Sequence, residues 1–177
     1  MHPDADSRDI ETPRAAVVTV SDRCARGEAE DRSGPAVKRV LAEASIPAPT
    51  HRLCPDEIEP LSELLRELSR SHDLVVTTGG TGLGPRDITP DATRAVMDRE
   101  IPGMAEVMRR TGLDNTPHAM LSRAVCAVSG DALVVNLPGS PRGAEENLRA
   151  VLPALPHALR LLRGAVKDCR DDPPPSP

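Results

Sequence analysis

The chain has 177 residues, a net charge of −5 from 22 Lys+Arg against 27 Asp+Glu, and no Phe, Tyr or Trp. That length suits one domain that buries about 70% of its unfolded surface without disulfide help, around a core of Leu, Val, Ala, Ile and Met. The missing aromatics exclude binders that stack bases or cage cations on ring faces, and the acidic balance excludes the basic footprint of a nucleic-acid binder.

No apolar run approaches the ~20 residues of a membrane span, and Met1-His2-Pro3-Asp4-Ala5-Asp6 has neither the basic start nor the apolar stretch of a signal peptide. Residues 1–13 are polar and 171–177 are Pro-rich, so both ends are expected to be disordered. Cys24, Cys54, Cys126 and Cys169 are scattered, with no C-x-x-C pair. That pattern reads as free thiols in a reducing cytoplasm. Lys38 and Lys167 are the only lysines, and no G-x-x-x-x-G-K-[ST] exists, which excludes a Walker A loop.

Between the ends, strands and helices alternate. Residues 15–20 form a continuous apolar, β-branched run, the mark of a strand covered on both faces. Pro35 stands at a helix start, with Val37, Val40, Leu41 and Ala44 at helical spacing. A short extended piece around 50–53 follows, then a helix carrying Leu61, Leu64, Leu65 and Leu68. Asp56 precedes that helix and reads as its N-cap. Leu74-Val75-Val76-Thr77 is a second buried strand. Residues 90–111 read as two short helices separated at Pro102-Gly103, and 124–128 with 132–136 as a hairpin across Ser129-Gly130-Asp131. Ser140-Pro141 reads as N-cap and first-turn proline of a helix through Leu148 and Leu152, which Pro153 and Pro156 break before 159–162.

This alternation predicts an α/β fold, a three-layer α/β/α sandwich with a mostly parallel sheet. Such sheets bind ligands beyond the C-terminal ends of their strands. Those ends carry Ser21-Asp22-Arg23, Thr78-Gly79-Gly80-Thr81-Gly82 and Asn136-Leu137-Pro138-Gly139-Ser140. The glycines of the second loop let backbone N–H groups approach an anion, though a plain flexible turn has the same composition. Arg86, Asp87 and Asp91 follow at once, and a cation with two carboxylates beside a phosphate cradle suits a magnesium-bound polyphosphate. Taken singly, Arg86 reads as a surface partner of Asp87 or Asp91. Ser140 both caps its helix and opens an anion-binding N-terminus. His51, His72, His118 and His157 have no Ser or Cys at motif spacing and read as surface or packing residues, and Cys126 reads as a small buried residue.

Taken together, Val20-Ser21-Asp22-Arg23, Pro55-Asp56-Glu57, Thr77-Thr78-Gly79-Gly80-Thr81-Gly82, Arg86-Asp87-Ile88-Thr89-Pro90-Asp91-Ala92-Thr93, Asp98-Arg99-Glu100-Ile101-Pro102-Gly103, Leu121-Ser122-Arg123 and Asn136-Leu137-Pro138-Gly139-Ser140-Pro141 resemble the MogA/MoaB family. That family includes molybdopterin adenylyltransferases and the G domain of gephyrin. The match runs in order from about 14 to 164, which sets the expected domain. Met104 and Arg142 depart from the residues common in the family at those places.

The resemblance implies magnesium-dependent transfer of AMP from ATP to the terminal phosphate of molybdopterin, with release of pyrophosphate. It implies Asp56 and Asp87 as the catalytic, metal-holding carboxylates, and a substrate-binding set of Ser21, Asp22, Thr78, Gly79, Gly80, Thr81, Gly82, Arg86, Asp91, Pro138, Gly139 and Ser140. It also implies self-association as a homotrimer or hexamer, a downstream molybdate insertase as partner, and a standalone form of the domain. A non-catalytic pterin-binding or scaffold paralogue of the MoaB type is the alternative; the presence of both Asp56 and Asp87 favours the enzyme.

Overall fold

The computed structural model describes residues 12–164. The tails expected at either end fall almost wholly on 1–11 and 165–177, and these, with Lys167 and Cys169, lie outside the described residues. Six strands, β1 (Ala15–Val20), β2 (Thr50–Cys54), β3 (Leu74–Thr78), β4 (Arg99–Glu100), β5 (Cys126–Ser129) and β6 (Ala132–Leu137), form one sheet in the order β2-β1-β3-β6-β5-β4. The first four positions in that order run parallel, and β5 and β4 close the edge antiparallel. A mostly parallel sheet is thus borne out.

Side-chain alternation along the strands builds two separate cores. Ala15 and Val17 of β1, Leu74 and Val76 of β3, and Leu133, Val135 and Leu137 of β6 point to one face. There they meet α2 (Ser33–Glu43), α5 (Pro102–Leu113), α6 (Pro141–Val151) and α7 (Leu155–Leu162) through Val37, Leu41, Met108, Leu148 and Leu155. Ala16, Val18, Val75 and Val134 point to the other face and meet Leu61, Leu65 and Leu68 of α3 (Ile58–Ser69) and Ala92 of α4 (Thr89–Arg94). Because both faces are covered, β1, β3 and β6 are buried along their whole length and show no polar alternation.

Several local expectations are revised. Asp56 is not the cap of α3: Glu57 occupies that position without a side-chain bond, and the Asp56 carboxylate turns to another strand end. Pro102 opens α5 rather than separating two helices, and the two-residue β4 lies just ahead of it. A one-turn helix, α1 (Asp22–Ala25), follows β1, capped by Ser21 Oγ on the Cys24 N–H at 3.3 Å. Ser140 does cap α6, accepting the Gly143 N–H at 3.2 Å. Cys24, Cys54 and Cys126 are free thiols.

His51 is more than a packing residue. Its Nε2 lies 3.0 Å from Asp31 Oδ2 and 3.1 Å from Thr19 Oγ1, and Thr19 donates to the same Asp31 oxygen at 2.6 Å. The Gly34 N–H donates to Asp31 Oδ1 at 3.0 Å. A Cβ on Gly34 would stand 2.3 Å from His51 Nε2, so only glycine admits the ring here. This cluster fastens the start of α2 to β1 and β2. Burial pushes the Asp31 carboxyl up, but the bonds from Thr19 and Gly34 and the nearby His51 outweigh it and hold its pKa below the ordinary value. A carboxyl depressed in the folded state adds stability that is present above its unfolded pKa of about 3.9 and is lost as pH falls through the lower folded value. In urea unfolding, Asp31→Asn is therefore expected to be less stable than the parent at pH 7, with the gap shrinking below about pH 4.

Candidate functional site

Since β1, β2, β3 and β6 are parallel, their C-terminal ends share one edge of the sheet. That edge gathers Ser21 and Asp22 after β1, Asp56 after β2, the glycine loop 79–82 after β3, and 138–140 after β6. The Gly79 N–H donates to the Leu137 carbonyl at 3.1 Å, and Thr78 Oγ1 donates to the Pro138 carbonyl at 2.7 Å. These bonds bring the second and third loops into contact. A Cβ on Gly139 would lie 3.2 Å from Gly79 Cα, and one on Gly79 would lie 2.3 Å from the Val20 carbonyl oxygen. Gly79 also has φ +106°, so its lack of a side chain is required twice over.

The glycine loop has two distinct sides. Its successive carbonyls at Gly79, Gly80, Thr81 and Gly82 are all occupied. Thr89 Oγ1 donates to Gly79 at 2.8 Å and the Thr89 N–H to Gly80 at 3.0 Å. The Arg123 N–H donates to Thr81 at 2.9 Å and Arg123 Nε to Gly82 at 2.9 Å. In a trans peptide the C=O and N–H point in opposite directions. The N–H groups of Gly80, Thr81, Gly82 and Leu83 are thereby turned away from Thr89 and Arg123, and among the described residues none of the four donates to a protein acceptor. Four unpaired N–H donors in a row form an anion-binding surface.

Two carboxylates flank this loop. Asp56 Oδ1 lies 3.3 Å from where a Gly80 Cβ would stand, and Asp87 Oδ2 lies 2.9 Å from where a Gly82 Cβ would stand. Asp87 Oδ2 also accepts the Gly84 N–H at 2.7 Å. Asp56 is held by a reciprocal clasp: the Asp22 N–H donates to Asp56 Oδ2 at 2.8 Å, and the Asp56 N–H donates to Asp22 Oδ1 at 3.0 Å. One oxygen on each of Asp56 and Asp87 keeps no hydrogen bond among the described residues. Burial is the main cause that raises the Asp56 pKa, and the charges of Asp22 and Asp87 add to it, against the Asp22 N–H and Arg86. Crowded negative charge of this kind is relieved by a cation.

Arg86 pairs with neither Asp87 nor Asp91, correcting the surface-pair expectation. It donates through Nε and Nη2 to Asp22 Oδ2 at 3.0 and 2.5 Å. Asp22, expected as a ligand contact, thus has both oxygens engaged, and the Arg86 guanidinium followed by the Asp56 N–H holds its pKa below the ordinary range. Asp91 also differs from expectation: Arg123 Nη1 and Nη2 bind its two oxygens at 3.2 and 3.0 Å. Ser21 serves as a helix cap and Thr78 as a bridge between loops. Thr89 and Arg123 were not among the expected site residues, because their bonds run to carbonyls far along the chain. Beneath the loops Asn136 is fully buried, donating to Thr77 and Thr93 at 3.0 Å each and accepting from the Val125 N–H at 3.2 Å.

Thr81 and Gly82 also border a cavity of about 390 Å³ whose walls include Met108, Arg109, Leu121 and Ser140. Its size suits a small organic ligand. Among the described residues no cysteine lines it, and burial pushes the Cys54 thiol up to about 11 and the Cys126 thiol up to about 12.

Residues 16–157 match the family described as "Probable molybdopterin binding domain". The chain is 40% identical over 159 residues to the molybdopterin adenylyltransferase of Helicobacter pylori, covering 88% of this chain and 90% of that protein. It is also 40% identical over 162 residues to gephyrin of Dictyostelium discoideum, covering 85% of this chain but 23% of that longer protein. Among solved structures, the molybdopterin biosynthesis enzyme MoaB of Thermus thermophilus superposes with a TM-score of 0.81 at 50% identity, covering 86% of this chain and 97% of that one. By fold, by sequence and by the match along most of its length, the chain belongs to the molybdopterin-binding family that includes MoaB.

Proposed function

We propose that the chain transfers AMP from ATP to the terminal phosphate of molybdopterin and releases pyrophosphate. The observation that carries this reading is the glycine loop, with four unpaired N–H groups on one side and the Asp56 and Asp87 carboxylates beside it. In the reaction an oxygen of the pterin phosphate bonds to the α-phosphorus of ATP, and the bond from that phosphorus to the bridging oxygen breaks. Pyrophosphate carries away the electron pair. The attacking phosphate is already anionic, with a second pKa near ~6, so no Ser–His or Cys–His pair is needed to activate it.

The protein's task is then to align phosphates and to balance their charge. The N–H groups of Gly80, Thr81, Gly82 and Leu83 hold phosphate oxygens, and Arg86, oriented by Asp22, supplies positive charge at the rim. The capped N-terminus of α6 at Ser140 holds the pterin phosphate. Asp56 and Asp87 fit a divalent cation by chemistry, each keeping one free hard oxygen donor beside a phosphate site. Two carboxylates suffice for magnesium, a cation that takes one or two of them and completes its shell with phosphate and water. Bound there, it would supply charge neutralisation to the transferred phosphoryl group. The cavity of about 390 Å³ beside Thr81 and Ser140 is the seat proposed for the pterin.

The resemblance supports self-association, proposed as a homotrimer or a hexamer, with a molybdate insertase downstream. No described helix is long and apolar enough to cross a membrane; the free thiols of Cys24, Cys54 and Cys126 support the proposal of a reducing, cytoplasmic location.

Purified protein with molybdopterin, ATP and magnesium is expected to give adenylated pterin and pyrophosphate, measured by chromatography. Asp56→Asn and Asp87→Asn are each expected to lower turnover by about 100-fold or more while the fold persists. Tight pterin binding without turnover in the parent chain would instead establish a scaffold protein. Gly80, at φ +62° and with a Cβ position 2.6 Å from Thr89 Oγ1, is expected to tolerate no side chain. Gly80→Ala should lose about 1–2 kcal/mol in thermal or urea unfolding, together with ATP binding. Light scattering should give three chain masses; a single chain mass would overturn the trimer.

A further inference from the structure

Arg123 binds the glycine loop and the residues just after it, yet the proposed reaction assigns it no contact with substrate. We infer that Arg123 is a positioning residue that sets the glycine loop for a polyphosphate by holding its carbonyl side. This inference rests on reading that loop as the phosphate cradle.

Arg123 spends its donors almost wholly on backbone and on one carboxylate. Its main-chain N–H takes the Thr81 carbonyl and its Nε the Gly82 carbonyl. Its Nη2 takes the Asp87 carbonyl and Asp91 Oδ2, and its Nη1 takes Asp91 Oδ1. One side chain therefore ties the end of the glycine loop to the backbone of Asp87 and to the first turn of α4. The two carbonyls it binds on the loop belong to the peptides whose N–H groups are those of Gly82 and Leu83. Without the side chain the Gly82–Leu83 peptide plane loses its anchor, since Thr89 secures only the Gly79 and Gly80 carbonyls and the Arg123 main-chain N–H only that of Thr81. Arg123 also fixes the Asp87 backbone, and so the root of a proposed metal-holding side chain.

Asp91 completes the device. A guanidinium facing only the two backbone carbonyls of Gly82 and Asp87 would carry a full charge beside an anion site and be drawn toward the ligand. The two-pronged pair with Asp91 holds it in plane and on the far side of the loop. The geometry is particular to arginine: the bonds leave three separate nitrogens in one plane, and a single lysine ammonium cannot span them.

The test measures binding of inorganic pyrophosphate and of ATP, both with magnesium, by calorimetry, with far-ultraviolet circular dichroism to establish folding. Arg123→Ala is expected to weaken both by about 10- to 100-fold, the loss of one or two hydrogen bonds to a charged ligand. Arg123→Lys should fare no better. Added guanidinium at sub-denaturing concentration should restore pyrophosphate binding to Arg123→Ala and leave Arg123→Lys unchanged, a rescue that a merely structural role would not produce. In turnover the KM for ATP should rise more than kcat falls.

Folded Arg123→Ala that binds pyrophosphate as tightly as the parent overturns the inference. If that variant does not fold, Asp91→Asn, which keeps the side-chain shape and releases the charge pair, is expected to weaken pyrophosphate binding; unchanged binding in it overturns the inference equally. A parent chain that binds neither pyrophosphate nor ATP overturns the cradle reading, and Arg123 with it. Parent binding with unaffected variants removes the Arg123 role alone.

Discussion

The site depends on peptide planarity. A peptide unit cannot turn its N–H toward a ligand unless its C=O turns the opposite way, and a carbonyl facing the protein interior needs a donor. Along 79–82 four carbonyls in succession find donors, two from Thr89 and two from Arg123. The N–H groups that follow them are left unpaired as a consequence. The glycines are what allow the chain to lie this close to its neighbours, with the Val20 carbonyl against Gly79 and Thr89 and Asp56 against Gly80. The rest of the edge is arranged around this loop: β1 and β6 end against it, and α4 starts where its carbonyls must be met.

Electrostatics complete the picture. The chain is acidic overall, and the site gathers Asp22 and Asp87 close enough to Asp56 that their charges add to the burial raising its pKa. This is a poor field for anionic ligands unless positive charge is concentrated locally. Of the arginines that flank the glycine loop, Arg123 is engaged with Asp91 behind it, and Arg86 is held by Asp22 at its rim. Neither reaches the gap between Asp56 and Asp87 as a side-chain hydrogen-bond partner. A cation placed there would offset the burial and the Asp22 and Asp87 charges that push the Asp56 pKa up, and would meet the carboxylate oxygen that each of Asp56 and Asp87 keeps free.

How legible this was in the amino-acid sequence varied with the range of the interaction. β1 and β3 were plain from unbroken β-branched runs, since both faces are buried, and Ser140-Pro141 announced α6 because capping is settled within four residues. The glycine loop was visible as composition, but its two-sidedness was not. Arg123 lies 41 residues from the Gly82 carbonyl that it binds, and no local pattern marks such a bond. Asp56 misled for the same reason: an Asp ahead of an amphipathic helix fits a cap, while its partner Asp22 is 34 residues away. Asp91 and Arg86 are close in sequence, yet each pairs with a distant residue of opposite charge rather than with the nearby one. β4 escaped notice because two residues carry no periodicity.

The missing aromatics bear on how a pterin and an adenine ring are held. Flat heterocycles usually rest on aromatic faces, and this chain has none. The cavity beside the glycine loop offers instead Met108 and Leu121 as apolar walls and the planar guanidinium of Arg109, whose Nη1 is anchored to the Ser122 and Ala124 carbonyls at 3.5 and 3.4 Å. A methionine adapts its shape to a ring, and a guanidinium stacks on one. Neither fixes a ring's orientation as firmly as an aromatic sandwich does. Recognition must then fall more heavily on the phosphate end, where the geometry is set by backbone donors and helix caps that cannot reorient. Such a site selects its ligands by where their phosphates lie and lets the rings follow.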